Sequence, residues 1–132
     1  MIVLDTHVWV WWLSDPTKLP ERARRAVTEA ADDKAVYVSA ISAWEIAMLT
    51  SRGRLTFTMD AQDWIAKSEA LPFLHFVPID NAIAVRSVRL AEPFHSDPAD
   101  RIIVATAIMM GAPVVSGDTK IGQYPYVKSI WS

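Results

Sequence analysis

Short, wholly apolar runs alternate along this chain with longer stretches whose apolar positions recur at helical spacing. The run "IVLD" over 2–5 predicts a buried strand, and the tryptophan-rich "THVWVWWL" over 6–13 predicts a short helix behind it. The loop "SDPTKLP" breaks the pattern before an exposed helix over 20–33 that starts with Pro20. A second strand, "AVYVS", covers 35–39, and a helix over 41–53 ends at Gly53 with Arg52 and Arg54 near its negative end. Further helices are expected over 59–71, with Asp60 as cap and Asp63 at the third helical position, and over 81–91, capped by Asp80. Between them "HFVPI" over 75–79 is strand-like. In "HSDPADRIIVATAIMMG" over 95–111, Asp97 serves as N-cap, Pro98 fits the first helical position, and Asp100 faces the positive end of the helix dipole. Strands over 113–116 and 126–131 complete the series.

Strand and helix alternate throughout without hairpin turn signals, which predicts a three-layer α/β/α sandwich around a mostly parallel sheet with right-handed crossovers. Runs such as "IVL" and "VV" are apolar without alternation, as expected of strands covered on both faces. At 132 residues, 52% of them hydrophobic, the chain suits one domain spanning 1–132 with a sizeable core. The absence of cysteine excludes disulfides and thiolate metal sites. With no basic leader before "MIVLD" and no apolar stretch of bilayer length, the chain is expected in the cytoplasm and off the membrane. The formal charge of −2 exerts no general pull on nucleic acid, so binding of that kind needs a local basic patch or metal ions.

The acids carry the candidate chemistry. In open α/β sheets, functional groups collect beyond the carboxyl ends of the strands. Asp5 follows "MIVL", Asp80 follows "FVPI", and Asp118 stands just past "VVS". Asp80 is accounted for as an N-cap; Asp5 could cap the next helix, as could Thr6; Asp118 in "SGDTK" could be an ordinary turn residue. Glu45 is harder to explain structurally. It lies mid-helix beside an apolar face expected at Ile41, Trp44, Met48 and Leu49, and a carboxylate at such an edge needs a partner. If Asp5, Glu45, Asp100 and Asp118 converge, each pair about 5 Å apart repels by roughly 3 kcal/mol at an effective dielectric near 20. A divalent cation is the natural neutraliser, and oxygen ligands point to Mg²⁺ or Mn²⁺ rather than zinc. That chemistry is phosphoryl transfer or phosphodiester hydrolysis, with the metal lowering the pKa of a bound water and stabilising charge on the phosphate.

The order and spacing of "MIVLDTHVWVWW", "VSAISAWEIAML" with its downstream "GRL", "HSDPADRIIVATA" and "PVVSGDTKI" resemble PIN-domain ribonucleases, specifically VapC-type toxins of bacterial toxin–antitoxin pairs. The resemblance implies that Asp5, Glu45, Asp100 and Asp118 form an acidic metal-binding quartet. It further implies that Thr6 and Ser116 orient those carboxylates, Ser116 standing where relatives often carry threonine. Asp97 matches the other aspartate of the "DPxDR" element and is read chiefly as a helix cap, with lining of the site as its second role. Mg²⁺- or Mn²⁺-dependent RNA cleavage to a 5′-phosphate and a 3′-hydroxyl, a homodimer, and a cognate antitoxin covering the site are likewise implied.

Other residues are less decisive. Arg101 points about 100° away from Asp100 around the helix, toward a salt bridge or an RNA phosphate. His7, His75 and His95 form no metal site by spacing and are read as structural, with His95 nearest the acids. Arg86 and Arg89 are either a basic rim for RNA or a solvated face. Trp9, Trp11 and Trp12 exceed what one short helix can bury, so part of the set is expected at a partner surface. Two other functions compete: a catalytically silent module that binds RNA or a partner, and a receiver-type signalling domain. The latter wants an adjacent acidic pair after the first strand, where "LDTH" has one acid.

Overall fold

In the computed structural model, which describes residues 1–132, the strands are β1 (Ile2–Leu4), β2 (Val36–Ser39), β3 (Leu74–Val77), β4 (Val114–Val115) and β5 (Ser129–Ile130). They form one sheet in the order β3-β2-β1-β4-β5, and all four pairings are parallel. The helices are α1 (Thr6–Ser14), α2 (Glu21–Asp32), α3 (Ala40–Ser51), α4 (Ala61–Glu69), α5 (Asn81–Val88), α6 (Pro98–Met110) and α7 (Thr119–Gln123). The α/β/α sandwich read from the alternation of elements is therefore present, with a sheet that is wholly parallel.

Strand periodicity divides the interior into two cores. Ile2, Leu4, Val36, Val38 and Val115 point to one face, where they meet Val8 and Trp9 of α1, Val27 of α2 and Ile46 of α3. Val3 and Val114 point to the other, against Ile83 of α5, Ile103, Val104 and Ala107 of α6, and Ile121 of α7. Because both faces are covered, β1 and β4 are apolar at every position, and their pleat could not be seen in the sequence.

Element ends differ from expectation in instructive places. Helix α3 stops at Ser51, before Gly53, and β5 is confined to Ser129–Ile130 rather than 126–131. The "SDPTKLP" loop contains a 3₁₀ turn over Pro16–Lys18, and "TKIGQ" forms α7, which was not among the expected elements. Both segments are too short to display a period. Helix α6 ends on Gly111, whose φ of 67° is a left-handed closure that glycine adopts without strain.

Of the tryptophans of α1, only Trp9 is fully buried; Trp11 and Trp12 are half-buried. The Trp9 ring is tilted against Trp64 and edge-on to Phe76. Trp12 packs edge-on to Phe73, and Trp11 packs against His7 and Trp131. The tryptophan that does stand out is Trp44, 57% exposed.

Candidate active site

The chain leaves β1 toward β2 on one side and returns to β4 on the other, so a crevice opens beyond the carboxyl ends of β1 and β4. Asp5 lies in it. Its amide donates to the Val115 carbonyl, and its own carbonyl accepts from Val8 and Trp9, which makes Asp5 both the last link of the sheet and the N-cap of α1. The carboxylate is buried. Its Oδ1 accepts from the Thr6 amide at 2.8 Å and its Oδ2 from the Ser116 hydroxyl at 2.6 Å.

Asp118 approaches from β4 through a tight "SGD" turn. The Asp118 amide donates to Ser116 Oγ at 3.0 Å, and the Asp118 carboxylate caps α7 by accepting from Lys120 N at 2.8 Å. Gly117 sits where any Cβ would lie 2.7 Å from the Trp131 ring, so a larger residue there would push that ring aside. Asp100 comes from the first turn of α6, which starts on Asp97: its Oδ1 accepts from Ala99 N at 2.9 Å and Asp100 N at 3.3 Å. Behind Asp100 the buried run from Ile103 to Ala107 keys the helix to the sheet.

Glu45 enters from α3. The face that helix buries is not the expected one: Ser42 and Ile46 are inside, while Trp44 is exposed. A small polar residue takes the interior position because it has a partner there. Thr6 Oγ1 lies 2.8 Å from Ser42 Oγ and 2.5 Å from Glu45 Oε1, tying α3 to the start of α1. Ser42 was not singled out from the sequence; its place three residues before Glu45 on the helix was the available signal.

Asp5, Glu45, Asp100 and Asp118 thus line one cleft of about 220 Å³, together with Thr6, His7 and Trp11. No lysine or arginine side-chain nitrogen lies within 4.0 Å of any of the four carboxylates. The electrostatic consequence is large. Burial first, and then the charges of Asp5, Asp97, Asp118 and Glu45, push the Asp100 carboxyl up to about 8. Burial also raises Glu45, an effect that the Thr6 hydrogen bond opposes and that Asp5 and Asp97 reinforce. A like-charged pocket of this kind fits a divalent cation: the donors are hard carboxylate oxygens, and the proton Asp100 retains is one a cation replaces.

Two histidines belong to this region: His95, which the sequence placed nearest the acids, and His7, which was read as structural. His7 Nε2 accepts from the Gly117 amide at 3.0 Å, leaving Nδ1 facing Asp5 Oδ2 at 3.6 Å. His95 Nε2 is 3.1 Å from Asp100 Oδ2, and donor atoms of His95, Asp100 and Asp118 all lie within 4.8 Å of one another. His75 is elsewhere, its Nε2 2.7 Å from the Lys34 carbonyl oxygen.

Arg101 is turned away from the cleft, contrary to the substrate role considered for it. Its Nε donates to Ser87 O at 2.8 Å, and its terminal nitrogens donate to Val88, Phe94 and His95 carbonyls. The nearest carboxylate, Glu92, is 4.0 Å away. The guanidinium therefore fastens the α5–α6 connection to α6 rather than forming a close ion pair. Arg86 and Arg89 line a separate groove of about 550 Å³ with Val85, Met109 and Tyr126, which contains no acid and shares no residue with the cleft.

Residues 2–125 match the PIN domain family. Ribonuclease VapC22 of Mycobacterium tuberculosis is 33% identical over 132 residues, covering 98% of this chain and 98% of that protein. Among solved structures, VapBC2 from Rickettsia felis bound to a DNA fragment from their promoter aligns over 98% of this chain and 97% of that one, with a TM-score of 0.72 at 16% identity. FitAcB from Neisseria gonorrhoeae aligns over 98% and 96%, with a TM-score of 0.66 at 23% identity. At these identities the two structures bear on the fold.

Proposed function

The chain belongs to the PIN-domain family, and on that footing we propose that it is a divalent-metal-dependent endoribonuclease acting as the toxin of a toxin–antitoxin pair. The observation that carries this reading is the convergence of Asp5, Glu45, Asp100 and Asp118 in one cleft with no lysine or arginine side chain paired to any of them.

In this reading the four carboxylates hold Mg²⁺ or Mn²⁺. When bound, the ion supplies Lewis-acid activation of water and neutralises charge at the scissile phosphate, leaving a 5′-phosphate and a 3′-hydroxyl. The chain's own contribution is placement. Ser116 and the Thr6 amide fix both oxygens of Asp5, the Thr6 hydroxyl fixes Glu45, and α6 presents Asp100 from a buried and therefore stiff support. Asp97 acts as the cap that sets the start of that helix and deepens the negative potential. Because a structural relative from Klebsiella pneumoniae is a toxin–antitoxin complex, a cognate antitoxin is the protein partner we assign; RNA is the substrate, and the active form is a homodimer. No helix is long and apolar enough to cross a membrane, and we assign the protein to the cytoplasm.

The test is to incubate purified protein with structured RNAs, with and without Mg²⁺ or Mn²⁺, and to repeat it with Asp5→Asn. Cation-dependent cleavage that disappears in the variant is the expected result. Absence of cleavage under every condition, or equal cleavage by the variant, overturns the assignment.

A further inference from the structure

We propose that His95 is a nitrogen ligand of the cation in the acidic cleft, beside Asp100 and Asp118, and that it biases the site toward Mn²⁺ over Mg²⁺. The inference rests on the metal-dependent reading above and adds to it the identity of a ligand and of the preferred ion.

Three observations converge on His95. First, its Nε2 lies 3.1 Å from Asp100 Oδ2 and shares with Asp100 and Asp118 a cluster whose donor atoms are all within 4.8 Å of one another. Ligands around one octahedral ion with bonds of about 2.1 Å stand roughly 3 to 4.2 Å apart, so small side-chain movements bring all three onto one ion. Second, His95 Nε2 is the one buried side-chain nitrogen or oxygen of the chain that makes no hydrogen bond. Despite the short approach to Asp100, the two groups are not aligned as donor and acceptor, and native chains rarely leave such an atom without a partner. Third, the ring is held from behind. Phe94 packs edge-on at 4.5 Å, and Arg101 Nη1 donates to the carbonyls of both Phe94 and His95, at 3.2 and 3.1 Å. A side chain that simply filled a loop would not need its backbone pinned by a guanidinium.

The chemistry of the donor set supplies the preference. Mg²⁺ takes oxygen ligands almost exclusively and keeps several waters, whereas imidazole nitrogen is a good ligand for Mn²⁺ and later divalent ions. An all-carboxylate cleft offers Mn²⁺ little advantage; one imidazole among the carboxylates does. His7 is a poor competitor for this role, because its Nε2 already accepts from Gly117 N.

Pulsed electron paramagnetic resonance on the intact protein loaded with Mn²⁺ alone tests this, since a directly bound imidazole imposes a ¹⁴N coupling on the manganese signal. Expected are a ¹⁴N coupling in the parent chain and in His7→Gln, and none in His95→Gln. His95→Gln is also expected to lose at least about tenfold in Mn²⁺ affinity, comparable with disturbing a metal's supporting shell, while Mg²⁺ affinity by competition changes much less. Bound Mn²⁺ without nitrogen coupling, coupling that vanishes in His7→Gln, or equal losses for the two ions in His95→Gln would overturn the proposal and leave the nuclease reading standing. Failure of the parent chain to bind Mn²⁺ or Mg²⁺ at all would overturn both.

Discussion

Ser116 Oγ lies 2.6 Å from Asp5 Oδ2, although 111 positions separate the two residues in the chain. The same hydroxyl accepts from the Asp118 amide, so one side chain links the acid after β1 to the acid after β4. Replacing it with alanine removes both bonds at once. Ser116→Ala is expected to weaken Mn²⁺ binding about 10- to 100-fold, measured by titration, whereas Ser116→Thr, which keeps the hydroxyl, stays close to the parent. Equal affinities for the alanine variant and the parent would refute this linkage.

The charge stored in the cleft makes a pH prediction. With Asp100 raised from 3.8 to about 8, the folded chain holds a proton that the unfolded chain has already released over that interval. Stability of the metal-free protein is therefore greatest below the unfolded value and falls as pH rises through the folded one, by up to about 1.4 kcal/mol per pH unit. The raised Glu45 acts in the same direction. Urea midpoints between about pH 5 and about pH 8 should decline without a divalent cation, and the stabilisation gained from Mn²⁺ should grow across the same range. Asp5→Asn, which removes one of the charges acting on Asp100, should flatten the decline; metal-free stability that climbs with pH would contradict the argument.

Asp97 and Asp100 can be told apart as cap and ligand. Asp97→Ser keeps an oxygen for the amides of Ala99 and Asp100 and removes a neighbouring negative charge. Its metal affinity should remain near that of the parent, and Asp97→Ala should lose about 1 kcal/mol of stability through the missing cap. Asp100→Ser should instead abolish measurable cation binding. If Asp97→Ser also abolished it, Asp97 would have to be counted among the ligands.

Arg101 should affect stability. Arg101→Ala strips its bonds from the carbonyls of Ser87, Val88, Phe94 and His95, and a loss of about 2 to 3 kcal/mol is expected in denaturant melts. Arg101→Lys should recover little, because a single ammonium cannot span carbonyls on both sides of a planar fork. A lysine variant as stable as the parent would show that the fork geometry is dispensable.

Much of this arrangement could be read along the chain, and the parts that could not have definable causes. Asp5 and Asp118 were legible because parallel strands deliver whatever follows them to one end of the sheet, and Asp100 because it opens a helix too apolar for the surface. The inward face of α3 was misread because hydrophobicity assigns Trp44 to the interior and Ser42 to solvent, and the reverse holds. Only the partner Thr6, distant in sequence, makes a buried Ser42 acceptable. His95 was expected near the acids from its place beside Asp97 and Asp100, whereas His7 escaped because a helix-start position obeys no period and its neighbour Gly117 is brought in by a tertiary contact. The helix over Thr119–Gln123 escaped because five residues do not complete two turns.

The anchoring of Asp5 divides the cleft into parts that differ in how freely evolution or an engineer can alter them. Its backbone is locked into β4 and α1 and both its oxygens are already claimed, so nearly any substitution there disturbs two structural layers together. Altering the cleft while keeping the hub intact would therefore begin with the connection preceding α6, which lies outside β1, β4 and α1.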